Sequence, residues 1–295
     1  MKRLSVIIVT YKSENDIYDC LNSVWQQCDI AKEELEVVIV DNSPECEPMF
    51  GKLRKMYGDG IVLIHNTHNG GYGQGNNVGI RRATAPVILI MNPDVRLATP
   101  FFHAAVEAFE KDPQLCMYGA KQMQTATMVS RNSFCCTYMM NGYIRTIMEA
   151  LCNRLDWYLP RYCYFSGSCF FINKEKFEAV GLFDETVFMY GEEDDVHFRM
   201  IRRYGAHFTY DTSLRYIHPT HDRKPNLTYE LTMAKVALIN NEKNGYPRRK
   251  TLRNLIAMCN CRLWREQLKV RFLHCSPEWR DMLAEYRKEL EKLKS

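Results

Sequence analysis

The chain runs to 295 residues, 46% of them apolar and 25% charged, with a net charge of +4. Those values exclude a disordered or collagen-like chain and a minimal disulfide-held domain; they suit one large α/β domain, or one such domain with a helical appendage. Charge is uneven: from Tyr246 onward 13 Lys/Arg stand against 6 Asp/Glu, a tail of +7 on a body of −3. A tail of that kind suits contact with something acidic or, equally, a solvated helical face. The 12 cysteines are scattered, with no pair at zinc-site spacing, and read as reduced, mostly buried thiols of a cytosolic protein. Met1-Lys2-Arg3 leads into Leu4–Val9, an apolar run too short for an export segment or a membrane span. The expected location is cytoplasmic, with room for peripheral association on the inner face of a membrane.

Four continuous, β-branched runs come first: Leu4–Thr10, Leu35–Val40, Ile61–His65 and Val87–Met91. Continuity rather than alternation is how strands covered on both faces of a parallel sheet read. Helix-period stretches separate them. Glu14–Gln26 puts Ile17, Leu21, Val24 and Trp25 on one face, Met49–Tyr57 does so with Phe50, Leu53 and Met56, and Asn76–Thr84 predicts a short helix after a glycine-rich loop. This alternation predicts a doubly wound α/β half. Pro100–Lys111 predicts a helix with proline in its first turn. Residues 112–165 show no clean period. Pattern returns with a strand at Ser168–Asn173, a helix at Lys174–Val180, a turn at Gly181, a helix from the acidic cluster Glu192–Asp195 to Tyr204, and strand-like His207–Tyr210 and Leu214–Ile217. Thr220–Asn226 reads as a polar, proline-bearing loop. Near the end Trp279, Met282, Leu283, Tyr286, Leu290 and Leu293 form an amphipathic stripe.

In open parallel sheets ligands sit beyond the carboxyl ends of the strands. Those ends carry Thr10-Tyr11, Asp41-Asn42-Ser43, the segment from Asn69 through Gly71, Gly73 and Gly75 to Asn76-Asn77, and Asn92-Pro93-Asp94. One such end is an ordinary turn; four together point to a site. The glycines follow the third strand, at the wrong spacing for a dinucleotide fingerprint, so a Rossmann dehydrogenase is disfavoured. A close backbone approach to a nucleotide stays open for that loop. Asp94 offers a hard carboxylate, and Mg2+ or Mn2+ needs few protein ligands where a diphosphate supplies the rest. His218 is a candidate second ligand, although a lone histidine is also an ordinary structural residue. Four successive acids at Glu192–Asp195 repel one another, which raises at least one pKa and suits a general base; a solvated helix cap is the bland alternative. The neighbouring Phe183, Val187, Phe188, Met189 and Tyr190 argue for partial burial.

This ordered set resembles family 2 glycosyltransferases with the GT-A fold, and is most similar to their bacterial rhamnosyltransferase-like branch. The resemblance is carried by Val6–Tyr11, Val38–Ser43, Asn69–Gly79, Met91–Val95, Phe165–Ser168, Gly181–Glu185, Tyr190–Asp195 with Arg199, and His218. It implies a Rossmann-like mixed sheet flanked by helices, a GT-A domain over 1–222 and a basic helical extension over 223–295. It further implies that Thr10, Tyr11 and Asp41 hold the base and ribose of a UDP- or dTDP-linked sugar donor, with Asn42 also on the donor side. Asn69, Gly73, Asn76 and Asn92 would line the same cleft. Asp94 and His218 would hold a divalent metal, Mn2+ or Mg2+, and Ser166 and Gly167 would lie on the acceptor side. Counting back from Arg199 aligns Glu193 with the family's catalytic aspartate; a shift of one residue selects Asp194, within a cluster that also holds Glu192 and Asp195.

The implied reaction is inverting transfer of a sugar to a glycan or lipid-linked acceptor in surface polysaccharide synthesis. The alternative is an inactive nucleotide-sugar or glycan-binding protein of the same fold. Arg248, Arg249, Lys250 and Arg253 precede apolar Leu255–Met258. That stretch suits an interfacial helix at a membrane surface or packing on the core or in a homodimer. No nucleic-acid reader motif accompanies the basic tail.

Overall fold

The computed structural model describes residues 1–219 and 224–294, which form two compact units. The first comprises Met1–Phe134 and Phe165–Thr220, the second Cys135–Tyr164 and His221–Ser295. The expected division at 222/223, and residues 220–223 of the expected polar loop, lie outside the described residues. The units also depart from a single cut, because Cys135–Tyr164, the stretch without a clean period, joins the C-terminal helices.

The first unit runs β1 (Leu4–Thr10), α1 (Glu14–Gln26), β2 (Leu35–Asp41), α2 (Glu47–Tyr57), β3 (Val62–His65), α3 (Gly71–Arg82), β4 (Val87–Met91), β5 (Arg96–Leu97), α4 (His103–Lys111) and β6 (Met117–Met123). A two-stranded ladder of β7 (Phe134–Cys136) and β8 (Cys163–Phe165) brackets α5 (Gly142–Leu155) of the second unit. The chain then adds β9 (Cys169–Asn173), α6 (Lys174–Ala179), α7 (Glu192–Tyr204) and β10 (Phe208–Ile217) to the first unit. The main sheet has the order β3-β2-β1-β4-β9-β6-β10-β5. Its first four strands are parallel, β9 runs antiparallel to β4 and β6, and β10 lies parallel to β6. All of β2 and β4 is buried, as their continuous apolar runs require.

Two predicted elements are corrected. The glycine-rich segment is not a loop ahead of a helix at Asn76 but the first two turns of α3 itself. Glycine is poor in helices, yet here backbone must approach backbone. A Cβ on Gly79 would press on Ile7 of β1, one on Gly75 on Val9 and Asn42, and one on Gly71 on the Phe188 carbonyl. α4 begins at His103 rather than Pro100, because Asp29 Oδ1 accepts the N–H groups of Phe102 and His103 at 2.8 and 2.9 Å and so caps the helix there.

The second unit holds α5 with α8 (Leu227–Lys243), α9 (Arg248–Leu273) and α10 (Glu278–Lys292). Its core gathers Ala234, Leu238, Leu252, Leu255, Cys259, Leu283, Tyr286 and Leu290. Of the two readings of the basic-apolar stretch, core packing is therefore what Leu255 and Ile256 do. Among the described residues no helix is long and apolar enough to cross a membrane.

Candidate active site

The site is built on strand ends of the first unit. β1 and β2 pair in parallel with Thr10 opposite Asp41, so a terminal hydroxyl meets a terminal carboxylate. Thr10 Oγ1 donates to Asp41 Oδ1 at 2.7 Å, and Ser43 Oγ donates to the same oxygen at 2.9 Å. Lys12 N–H, in turn, donates to Ser43 Oγ at 2.7 Å. Asp41 Oδ2 is left buried with no partner. A buried carboxylate oxygen without a donor is costly, so this arrangement is ready to accept an N–H or O–H from a ligand. Asp41 lines a cavity of about 510 Å3 with Lys12, Ser13, Ser43, Glu45 and Met49. Tyr11 stands half exposed at the same strand end.

Four of the residues expected to touch a nucleotide lie behind this surface instead. Thr10 is fully buried and acts on Asp41. Asn42 is 5% exposed and bonds to Asn69, Gly71 and Asn66, which ties β2 to the start of α3. Gly73 faces Phe183 across a gap that a Cβ would fill. Asn76 is buried, its Nδ2 donating to the Tyr72 carbonyl at 2.9 Å, although its Oδ1 has no partner. Asn69 is exposed and accepts the Gly71 N–H at 3.2 Å. The expected close approach of the glycines to a nucleotide is thus an approach to β1, Phe183 and Phe188.

Past the end of β4, Asn92 N–H donates to the Ser168 carbonyl at 2.9 Å, and Val95 N–H returns to the Asn92 carbonyl at 3.2 Å. Beyond the end of β10, His218 Nε2 lies 3.3 Å from Asp94 Oδ2. Asp94 Oδ1 is buried without a partner. Burial pushes the Asp94 carboxyl up, but the bond to His218 and its charge outweigh that and leave the pKa below the ordinary value. One carboxylate and one imidazole with a free carboxylate oxygen fit a divalent cation whose remaining positions are filled by phosphate oxygens and water. Among the described residues no group of three or more His, Cys, Asp or Glu is gathered, so such a cation would need those further ligands. A hydrogen-bonded chain steadies His218: its Nδ1 lies 3.4 Å from Gln122 Nε2, Tyr216 O–H donates to Gln122 Oε1 at 3.3 Å, and Ser168 Oγ lies 3.0 Å from the Tyr216 hydroxyl.

The acidic cluster opens α7 after two left-handed residues, Tyr190 at φ +80° and Gly191 at φ +82°. Its four acids have different surroundings. Asp195 is held by Arg199 at 2.7 Å, and Arg199 also donates to the carbonyls of Val180 and Leu182, so this pair clamps α7 to the turn after α6. Asp194 is 5% exposed. Glu192 is buried; burial first, then the charge of Glu193, push its carboxyl up to about 8. Glu193 is half-buried and lies directly on Gly167, where any Cβ would collide with its Oε1. Burial and the charge of Asp194 raise its pKa, against bonds from its own and the Gly167 backbone N–H groups. Tyr72 O–H donates to the Gly167 carbonyl at 2.6 Å, which fixes that platform from α3. Ser166 Oγ sits 3.0 Å from Ser168 Oγ beside it. Of the expected apolar surround, Phe183 and Val187 are buried while Phe188 and Met189 are exposed.

Two positioning residues were not singled out by sequence reasoning. Asn77 donates to the Phe183 carbonyl and accepts its N–H, at 2.9 and 3.0 Å, bracing the approach to α7; only its place in the glycine-rich motif marked it. Gln122 lies in the patternless 112–165 stretch and carried no signal.

Comparison with known proteins identifies the family and the fold. Residues 5–181 match the profile of the family described as Glycosyl transferase family 2. The low-salt glycan biosynthesis hexosyltransferase Agl10 of Haloferax volcanii is 28% identical over 214 residues, 68% of this chain and 62% of that protein. The poly(ribitol-phosphate) beta-N-acetylglucosaminyltransferase TarS of Staphylococcus aureus is 33% identical over 96 residues, 32% of this chain and 16% of that protein. The match thus spans under two thirds of either relative. Among solved structures, the mannosyltransferase PcManGT of Pyrobaculum calidifontis in complex with GDP-Man and Mn2+ superposes with a TM-score of 0.62 at 16% identity, covering 98% of this chain and 86% of that one. S. aureus TarS 1-349 in complex with UDP-GlcNAc does so with 0.55 at 16%, covering 96% and 80%. These likenesses show the GT-A glycosyltransferase fold.

Proposed function

Because the chain belongs to glycosyl transferase family 2, we propose that it is an inverting, metal-dependent glycosyltransferase moving a sugar from a UDP- or dTDP-linked donor to a glycan or lipid-linked acceptor. The observation that carries this reading is the pair of strand-end carboxylates, Asp41 and Asp94, each with one oxygen buried and lacking a partner. Such oxygens are costly in the free protein and are relieved by a ligand that brings a donor to one and a cation to the other. Asp41 Oδ2 accepts the imide N–H of uracil or thymine; complexes of TarS with UDP and UDP-GlcNAc, and of PcManGT with GDP-Man, support a nucleotide-diphosphate donor. Asp94 and His218 would hold the divalent cation, which when bound would supply Lewis-acid stabilisation of charge on the leaving diphosphate.

Glu193 is the general base. Its raised pKa brings it nearer to working pH, and its seat on Gly167 fixes the carboxylate. It takes the proton from the acceptor hydroxyl as that oxygen bonds to the anomeric carbon and the bond to the diphosphate oxygen breaks. One displacement with one base inverts the anomeric centre, and no enzyme nucleophile takes part. Asp195 with Arg199, and Gln122 with Tyr216, position the reacting groups. Ser166 and Gly167 face the acceptor. The Agl10 and TarS names support a role in surface glycan or polymer synthesis.

The test is thermal stabilisation and donor hydrolysis against UDP-, dTDP- and GDP-sugars with Mn2+, Mg2+ or EDTA. Stabilisation by one nucleotide class that needs metal in wild type and is lost in Asp94→Ala is expected. Indifference to every nucleotide under all conditions would defeat the reading and favour a glycan-binding protein.

A further inference from the structure

Helix α5 of the second unit is inside out. Its buried positions are Gly142, Arg145, Cys152 and Asn153. Its exposed positions include Ile144, Ile147, Leu151 and Leu155, which at offsets of 3, 7 and 11 make one stripe along the helix. Ile147 is 66% exposed. The inward charge is satisfied: Arg145 donates to the Cys136 carbonyl at 2.6 Å, pairs with Glu149 at 3.2 Å and stacks 4.2 Å over the Tyr138 ring. The helix is therefore held by its polar side, and its apolar side faces outward. Past its end, Trp157 and Tyr162 are also exposed. Scattered exposed apolar residues are ordinary, but a contiguous stripe with aromatic flanks is an interaction surface.

A second observation indicates what covers it. α9 opens with Arg248, Arg249, Lys250 and Arg253, all exposed and, among the described residues, without an ion pair. Cations at a helix N-terminus oppose the helix dipole, so neither a capping nor a folding advantage accounts for them. They sit beside the stripe's own helix, since a Cβ on Gly142 would meet the Asn254 carbonyl and Ala257 of α9. On α5 and just past it the exposed charges Arg154 and Arg161 are again cationic, while the one acid in the helix, Glu149, is paired.

We propose that the α5 stripe, with the basic start of α9, is a docking surface for an anionic lipid bilayer. Ile144, Ile147, Leu151 and Leu155 enter the headgroup–acyl boundary, Trp157 and Tyr162 lie at headgroup level, and the cations meet lipid phosphates. A second copy of the chain fits less well, because a two-fold contact would bring the basic cluster against itself. The surface differs from the interfacial helix expected at Leu255–Met258, whose side chains are core.

The test is co-sedimentation of the full chain with vesicles of phosphatidylcholine alone and of phosphatidylcholine with phosphatidylglycerol, at low and high salt. Wild type is expected to bind the anionic vesicles, more weakly at high salt, with a blue shift in fluorescence that Trp157→Phe diminishes. The double variant Ile147→Ser, Leu151→Ser and the triple variant Arg249→Glu, Lys250→Glu, Arg253→Glu are each expected to bind at least about tenfold more weakly with unchanged Tm. Donor hydrolysis in solution, unaffected by either variant, separates this proposal from the transferase reading. Wild type left in the supernatant with anionic vesicles overturns the proposal, as do variants that bind as wild type does. A wild-type dimer that Ile147→Ser, Leu151→Ser converts to monomer, with no vesicle binding, assigns the stripe to a second copy instead.

Discussion

The two units leave opposite kinds of group unsatisfied. The first buries charge without completing its hydrogen bonds: Asp41, Asp94 and Glu192 each keep a carboxylate oxygen inside with no partner. The second pairs its buried charge, Arg145 with Glu149 and the Cys136 carbonyl, and leaves hydrocarbon outside. Unmet carboxylates call for something small, polar and directional; an unmet apolar stripe calls for an extended phase or face. Instability is thus placed where binding can relieve it, in a different form in each unit.

The contrast is broken most severely at the base. Glu193→Gln keeps the shape over Gly167 and removes the proton acceptor, so kcat should fall by about 10^2–10^4-fold with donor KM little changed. Steady-state kinetics across pH sharpen this: wild-type activity should rise with pH through a midpoint above the ordinary carboxylate range, as the burial of Glu193 and the charge of Asp194 require. A midpoint within the ordinary range would remove Glu193 from the role.

Next in size is Asp41→Asn, which preserves packing under Thr10 and Ser43 but removes the charge from the unpartnered oxygen. A hydrogen bond to a charged group contributes about 1.5–3 kcal/mol, so the donor KM should rise roughly 10- to 100-fold while kcat changes little. Equal loss in kcat would place Asp41 in the chemistry instead.

The last effect is on stability alone. The Glu192 carboxyl is raised from 4.5 to about 8 by burial and by Glu193. The folded protein therefore holds a proton that the unfolded chain releases, and this stabilisation is full below 4.5 and lost as pH climbs to about 8. Glu192→Gln escapes that loss, so the Tm advantage of the variant over wild type should grow across this window. A difference that stays flat with pH would show that Glu192 carries no such shift.

Much of the first unit was legible because its signals are local. Continuous apolar runs give the parallel strands, and the residues within a few positions of their ends supply the candidates, which is how Asp41 and Asp94 could be named as candidates without a structure. Gly71–Gly79 misled because glycine marks a loop by propensity, whereas here it permits helix α3 to approach β1, a requirement set by a strand far away in sequence. Thr10, Asn42 and Asn76 were recognisable as site residues, but not that they act behind the surface, since burial is not a local property. His218 showed only as a lone histidine at a strand end, and Gln122 not at all, because the bonds that join them close over 96 residues. α5 was illegible for another reason: it lies in the stretch that shows no clean period, and its apolar stripe, once seen, turns outward rather than to a core.

The placement of Asp41 and Asp94 makes the sheet a measuring device. β2 and β4 flank β1, so Asp41, which ends β2, and the turn after β4 that carries Asp94 issue from strands two spacings apart, about 10 Å. Hydrogen bonds between strands fix that separation more firmly than any side chain could. On the proposed reading, a donor is gauged by the interval between its base and its phosphates before its sugar is sampled, and a free nucleoside or an isolated diphosphate satisfies only one end of the gauge. Selectivity for a whole nucleotide would then be a property of backbone topology, inherited by every sequence that keeps this strand order, while the choice of sugar is left to side chains free to vary.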